Sequence, residues 1–442
     1  MLSSPHKPFS PARWPFFYGY AIVFCSTIGI LASGPGQTIG VSVFTDHLIK
    51  ALAVSRLQLS LAYTLGTIGS SLIVARAGRF LDTAGVRRVA FYTACGLGAV
   101  LLYMSQVDRI AGFLTALAGG RGPTVTALVA VTGGFLLMRF FGQGVLTLCS
   151  KTMLMRWFMR LRGRMNSILG VTVTLTFSAA PLFFELLIRK FGWRGAWVFL
   201  GVLIGLGASV FVAIFFRDSP EQCGLRPDGD SLEEEAARAN GLPREVNYTL
   251  REARRTPAFW IFNLSLSMFS LLATAFAFHV VSIFAEAGLP RTVAISVFLP
   301  SACIGVAVNI LGGTLSDLRF FHHRLNYLLM VQLTGLLLLS AGILYLGTSW
   351  GRPVVILGNG MAAGLFGTLS SVSWPRLFGR KHLGSITGSN MSFLVFSSAV
   401  GPSLFGASYS VTGSYEFAVF LCIAALALML AASFKATHPE NR

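Results

Sequence analysis

Apolar runs long enough to cross a lipid bilayer recur twelve times along this chain. Six lie at about 16–45, 57–75, 89–107, 123–148, 165–188 and 195–216, and six more at about 258–286, 292–315, 325–347, 353–374, 384–410 and 414–434. A helix needs roughly 17–25 residues to span the hydrocarbon core, and its backbone must bond within itself there because no water is available. The pattern predicts an all-α polytopic membrane protein with 12 transmembrane helices. Composition agrees: 54% of the residues are hydrophobic and 12% charged, about half the charged share usual in soluble domains. Cys25, Cys95, Cys149, Cys223, Cys303 and Cys422 form no CxxC pair and read as small core residues. The N-terminus carries no small-residue cleavage site after a short apolar core, so the first span is expected to act as its own signal-anchor.

The net charge of +18 would suit a nucleic-acid partner if the cations were spread over a soluble surface. They are not. Of 35 Lys and Arg residues, 25 fall in the termini and in the connections after spans 2, 4, 6, 8 and 10, whereas 9 fall in the opposite connections. That asymmetry places both termini and the central loop in the cytoplasm of a plasma (inner) membrane protein and excludes a nucleic-acid role. The remaining cation, Arg139, lies within span 4.

The two sets of six spans also repeat. Pro181 and Gly192 in the fifth span recur as Pro402 and Gly413 in the eleventh, both at an offset of 221. At that offset "AWVFL" (196–200) falls on "FAVFL" (417–421), and Gly163 on Gly384. Gly78-x-x-x-Asp82 after span 2 recurs as Gly313-x-x-x-Asp317 after span 8, at an offset of 235. The expected organisation is two pseudo-symmetric six-helix bundles, 1–216 and 258–442, joined by a polar central loop, 217–257. Repeated halves of this kind hold a substrate site near the midplane between them. Within the loop, Thr249-x-x-Glu252 makes a capping box for a short amphipathic helix ending at Pro257.

These motifs resemble the major facilitator superfamily over nearly the whole chain. "AGRFLDTAGVRR" is similar to that family's loop between helices 2 and 3, with Gly78, Asp82, Gly85, Arg87 and Arg88 in place, and "RFFGQG" resembles its helix 4 pattern. Within the superfamily the chain is similar to the bacterial monocarboxylate and oxalate–formate antiporter-like branch. The pieces are "GPGQT" in span 1, "RWFMRLRGR" after span 4, "RDSPEQCGLRPDG" after span 6, "FHVVSIFAEAGL" in span 7 and "FGRKHLGSITG" before span 11. The branch as usually described carries substrate-binding cations in helices 8 and 11. Here span 8 has none, and span 11 offers Asn390, Ser397 and Ser398 instead.

Three features mark a polar pathway. Span 1 interrupts itself at "SGPGQTIG", where Gly34, Pro35 and Gly36 break the helix and Gln37 follows. Irregular backbone at membrane depth must be buried in protein or face a cavity, so the break is either a substrate or gate contact or a bend for packing. Arg139 is the lone Lys or Arg in any span. It is either a structural arginine bonded to helix carbonyls or to span 1, or the group that binds an anion or couples protons. His279 in span 7 sits seven residues before Glu286; it either exchanges a proton near neutral pH or bonds a neighbouring helix as neutral imidazole. Asn390 and Ser397 complete the candidate substrate pathway. Gly78, Asp82, Gly85, Arg87, Arg88, Gly313 and Asp317 read as gating residues. No Gly-Lys-Ser/Thr loop, metal cluster or nucleophile–base set occurs, so neither enzyme chemistry, a metal nor a cofactor is indicated.

The expected function is secondary transport, by alternating access, of a small organic anion of monocarboxylate type, with proton coupling left open. The alternatives are export of apolar or cationic compounds, favoured by the cation-poor spans 8 and 11, and a transporter-like nutrient sensor. The expected partners are the small-molecule substrate and the lipid bilayer, with the protein a monomer. The charge asymmetry makes a direct prediction: reporters fused after Arg442 and within 217–257 should both report a cytoplasmic location. An outside reading at either site overturns the twelve-span topology.

Overall fold

The computed structural model describes residues 4–230, 247–322 and 324–437, so the middle of the central loop, 231–246, lies outside the described residues. The described chain is helical, with no strand among those residues. Helices α1 (Gly19–Ala32) and α2 (Thr38–Leu52) form the first span, followed by α3 (Arg56–Ala84), α4 (Val86–Ser105), the short α5 (Val107–Leu117) and α6 (Pro123–Met138). A π-helical stretch, Arg139–Leu146, joins α6 to α7 (Thr147–Trp157). Then come α8 (Arg162–Val202) and α9 (Ser209–Phe215). The later helices are α10 (Leu250–Ala253), α11 (Pro257–Glu286), α12 (Arg291–Ser296), α13 (Phe298–Ser316), α14 (Arg319–His322), α15 (Leu325–Leu344), α16 (Gly351–Phe378), α17 (Leu383–Thr412) and α18 (Glu416–Ser433).

Ten continuous helical stretches among the described residues are long and apolar enough to span. One of them, Arg162–Phe215, has 54 residues, far more than one crossing uses at 1.5 Å per residue. It contains a left-handed break at Gly192 (φ 69°), so it supplies two spans. The first span, split by its own break, brings the total to twelve. Gly413, the repeat partner of Gly192, ends α17 with φ 72°. Both take a positive φ, Gly192 with ψ 166° and Gly413 with ψ 4°, and glycine reaches these conformations without a Cβ clash.

Local chemistry sets the helix ends. Ser55 and Gln58 form a reciprocal capping box that opens α3. Thr249 and Glu252 do the same for α10, although that helix stops at Ala253 and Pro257 instead opens α11 behind the Thr256 cap. Leu57, Leu61, Leu65 and Leu72 stand exposed along α3, as side chains facing acyl chains would.

The chain packs as two units. The first comprises Met1–Trp157, Thr172–Pro243 and Thr387–Ser392; the second comprises Phe158–Val171, Arg244–Ile386 and Phe393–Arg442. In the first unit the N-terminal residues bind across the ends of two spans. Arg87 donates to the carbonyls of Ser4 (2.9 Å), Lys7 (2.7 Å) and Ala213 (3.0 Å). Arg217 reaches the Pro5, Lys7 and Phe9 carbonyls and lies over the Phe9 ring. Asp218 accepts from the Arg87 amide at 2.7 Å. The charged donors are thereby matched by carbonyls of the N-terminal segment and of the last turn of α9.

Also in the first unit, the span 1 break crosses the π-helical stretch of span 4 backbone to backbone. A Cβ on Gly36 would meet the Met138 carbonyl at 2.5 Å and the Gly142 Cα at 2.8 Å. Small residues permit such approaches, and the crossing has room for nothing larger. Gly36→Val should lower the melting temperature of the detergent-purified protein, with a destabilisation of about 1–3 kcal/mol typical of overpacking. Wild-type melting would show that this crossing tolerates a side chain.

Candidate functional site

The break in span 1 is a single 3₁₀ turn, Gly34–Gly36, whose three residues are buried. Pro35 has no amide hydrogen to lose there, and the amides of Gly36 and Gln37 turn back to the Ser33 and Gly34 carbonyls. Gln37 leaves helical geometry (φ −82°, ψ 158°), and α2 restarts at Thr38. Its side chain turns inward: Nε2 donates to Ser33 Oγ at 3.0 Å and to Thr147 Oγ1 at 3.3 Å. Thr147 in turn contacts Ser33 Oγ and the Gly142 carbonyl. The polar group beside the break is therefore held within the first unit by span 4.

Arg139, 1% exposed, reaches the other side of the same break. Its Nη1 donates to the Gly36 carbonyl at 3.4 Å and to Thr38 Oγ1 at 3.2 Å. The guanidinium lies 5.3 Å from the centre of the Tyr63 ring, whose hydroxyl also donates to Thr38, at 3.0 Å. Arg139 Nε has no partner, and no carboxylate pairs with this cation among the described residues. Arg139 is the first residue of the π-helical stretch, and such stretches recur at functional sites. Arg139, Gln37, Gly34, Pro35 and Gly36 are thus brought together. Tyr63, Thr38, Ser33 and Thr147 belong to the same cluster and were not read from the sequence. Only Thr38, immediately after the break, carried a local signal.

His279 belongs to the second unit. Its Nε2 lies 2.9 Å from the Pro402 carbonyl, and its Nδ1 lies 3.3 Å from the Tyr415 hydroxyl. A carbonyl can only accept, so Nε2 carries a proton. Tyr415 continues the network to Ser282 Oγ at 2.9 Å, and its amide approaches Glu286 at 3.4 Å. Asn390, 3% exposed, lies in the first unit's segment Thr387–Ser392, and Ser397 in the second unit.

The two repeated aspartates each meet an arginine within their own unit. Asp82 accepts from Arg156 at 3.0 Å and Asp317 from Arg376 at 2.6 Å, all four side chains being largely or wholly buried. Arg156 and Arg376 were not singled out from the sequence, though their offset of 220 nearly equals that of the surrounding repeat. Asp317 also accepts from the amides of Gly163 and Arg164, both at 2.9 Å, at the start of α8. A carboxylate suits that end of a helix, where free amides concentrate positive potential. Burial raises the Asp317 carboxyl above its ordinary value, against the opposing pull of Arg376 and the two amides. Gly313 touches the Gly163 carbonyl, and Gly78 lies against Gly388, so both glycines sit where backbones cross. Gly85 (φ 87°) breaks the chain between α3 and α4; Arg87 is buried on the N-terminal carbonyls, and Arg88 is exposed.

With this geometry established, comparison with known proteins defines the class. The Major Facilitator Superfamily profile matches residues 25–402, so the chain belongs to that superfamily. It is an integral, multi-pass membrane protein of the transporter fold. No curated protein matches the sequence significantly. Among solved structures, a bacterial homologue of the iron transporter ferroportin in an outward-facing state aligns with a TM-score of 0.64 at 17% identity, covering 95% of this chain and 100% of that one. The proton:xylose symporter XylE aligns at 0.62 and 15% identity, covering 94% of each chain. The human organic anion transporter MFSD10 (TETRAN) aligns at 0.60 and 16% identity, covering 95% of this chain and 99% of that one. At these identities the likeness is one of fold.

The buried pairs make a comparative prediction. Asp317→Asn leaves Arg376 without its carboxylate and should destabilise by about 3–5 kcal/mol, as breaking a buried pair does. Glu185→Gln, which opens the exposed Arg189–Glu185 pair, should change stability by about 1 kcal/mol or less. Denaturation of both variants in the same detergent checks this; equal losses would show that the Asp317 pair adds no more than a surface one.

Proposed function

We propose that the protein is a secondary transporter that moves a small organic anion of monocarboxylate type by alternating access. One observation carries the anion preference: a guanidinium 1% exposed at the break of span 1, with no carboxylate beside it among the described residues. A cation within a bilayer span is expensive, and a carboxylate substrate would supply the missing charge. The resemblance to the monocarboxylate and oxalate–formate branch supports the same substrate class, as does the fold shared with an organic anion transporter.

The proposed organisation keeps two six-helix halves, 1–216 and 258–442, joined by 217–257, with both termini in the cytoplasm. Asp82 and Asp317, with Gly78 and Gly313, are assigned to gating: their ion pairs and close glycine contacts belong to one conformational state and must open in the other. His279 is assigned to proton coupling, since its ring nitrogens link the Pro402 carbonyl to the Tyr415 hydroxyl.

Uptake by purified protein in liposomes tests the reading, with carboxylates and cationic dyes supplied with and without a pH gradient. Wild type should accumulate a carboxylate, and Arg139→Gln should reduce that uptake by about 100-fold or more, the scale of a buried charge losing its partner. His279→Gln should chiefly displace the pH dependence. Full carboxylate uptake by Arg139→Gln, or dye transport alone, would replace the anion reading with export of apolar or cationic compounds.

A further inference from the structure

We propose that Tyr415 is the proton relay of His279, the residue through which its ring gains and loses a proton, with Ser282 and Glu286 leading on to the end of span 7. This inference rests on the assignment of His279 to proton coupling and adds the route by which the proton arrives.

His279, Ser282 and Glu286 are spaced three and four residues apart at the end of α11, so they share one face of that helix. Tyr415, the residue just before α18, comes to that face from far along the chain and is 4% exposed. Its hydroxyl lies 3.3 Å from His279 Nδ1 and 2.9 Å from Ser282 Oγ, and its amide donates to Glu286 at 3.4 Å. Tyr409 stacks on the Tyr415 ring at 4.9 Å, with Phe405 at 6.2 Å. The ring is thereby held, and the hydroxyl sits between the two polar side chains of α11.

A phenol has one proton, and this one has two neighbours that can accept it. His279 Nε2 keeps its own proton on the Pro402 carbonyl, and Nδ1 meets only Tyr415 among the described residues. While the ring is neutral, Nδ1 accepts the phenol proton. Once Nδ1 is protonated it donates to the phenol oxygen, and the phenol proton turns to Ser282 Oγ. The same heavy-atom positions serve both states, so a proton can pass without a helix moving. The Tyr415 oxygen takes a proton from the Ser282 hydroxyl while its own O–H bond breaks and an N–H bond forms at Nδ1. Ser282 recovers a proton from water. Tyr415 and Ser282 end neutral, His279 gains one proton and one positive charge, and nothing is oxidised or reduced. Release is the reverse. Glu286, one turn beyond Ser282, is exposed and marks the watery end of the route. In the proposed topology that end faces away from the cytoplasm.

The other titratable groups on the elements around α11 stay out of this network. Arg291 on α12 and Glu416 on α18 are exposed, and Cys422 lies further along α18. On α16, Arg352 bonds Ser296 and Arg376 pairs with Asp317. Helices α15 and α17 carry no charged residue, only Tyr327 and Tyr409. Glu286 is therefore the one charged side chain joined to the His279–Tyr415–Ser282 set among the described residues.

The test needs no substrate. Full-length protein carrying nitrogen-15 histidine, in lipid nanodiscs, would be titrated by NMR, with the His279 signals assigned as those missing from His279→Gln. In wild type the ring should take up a proton as the pH falls, and its line shapes give the rate at which that proton exchanges with water. Tyr415→Phe keeps the stacked ring and deletes the hydroxyl. It should slow the exchange about tenfold or more, since a positioned proton-transfer group typically contributes about 100-fold or more. Ser282→Ala removes the next link, leaves Tyr415 in place and should slow exchange likewise, so it serves if Tyr415→Phe fails to fold. A tyrosine that only packed would leave the rate unmoved. Exchange as fast as wild type or faster in Tyr415→Phe, or in Ser282→Ala where only that variant folds, would overturn the relay while His279 still titrates. A His279 ring that takes up no proton over the pH range in which the protein stays folded would overturn the assignment to proton coupling and the relay with it.

Discussion

A guanidinium buried in a span must find acceptors, and the first span provides them by ceasing to be a helix. The turn Gly34–Gly36 brings the Gly36 carbonyl and then the Thr38 hydroxyl to Arg139. This works only because span 4 approaches closely enough, which the Gly36–Gly142 crossing allows. Arg139 is the first residue of the π-helical stretch of span 4. Break, glycine crossing and cation are one arrangement. Filling the crossing with a side chain would push the arginine away from its acceptors.

The ends of the spans are governed by a second repeated interaction. In each unit an aspartate that follows a Gly-x-x-x step pairs with an arginine at the end of another span of that unit. The recurrence of the pair is more informative than either instance. An Asp–Arg contact of the same kind is found in both units. A buried pair is a weak source of stability compared with an apolar replacement, because both ions must leave water.

Much of the fold was legible in the chain because hydrophobic length and charge asymmetry are local properties. Twelve spans, the break at Pro35 and the repeat of Gly192 in Gly413 all follow from short stretches and their spacing. The candidate site was legible only in part. Arg139 stood out as a lone cation and Gln37 as a polar residue beside a break. Tyr63 gave no such sign, since an aromatic residue in an apolar span is unremarkable until its ring is found 5.3 Å from a guanidinium. Arg156 and Arg376 were hidden among other loop cations for the same reason.

The sequence by itself determined that this protein lives in a membrane, that its helices number twelve, that its halves repeat, and where its first span must break. Each of these depends on the free energy of moving a residue between water and lipid or on a residue's own backbone freedom. Tertiary structure decided what the polar residues do. Gln37 turns to Ser33 and Thr147, His279 to Pro402 and Tyr415, and Arg139 to the broken helix. Hydrogen bonds are directional and short, so partners more than a hundred residues apart are chosen by how the helices pack, and no stretch of sequence encodes that choice alone.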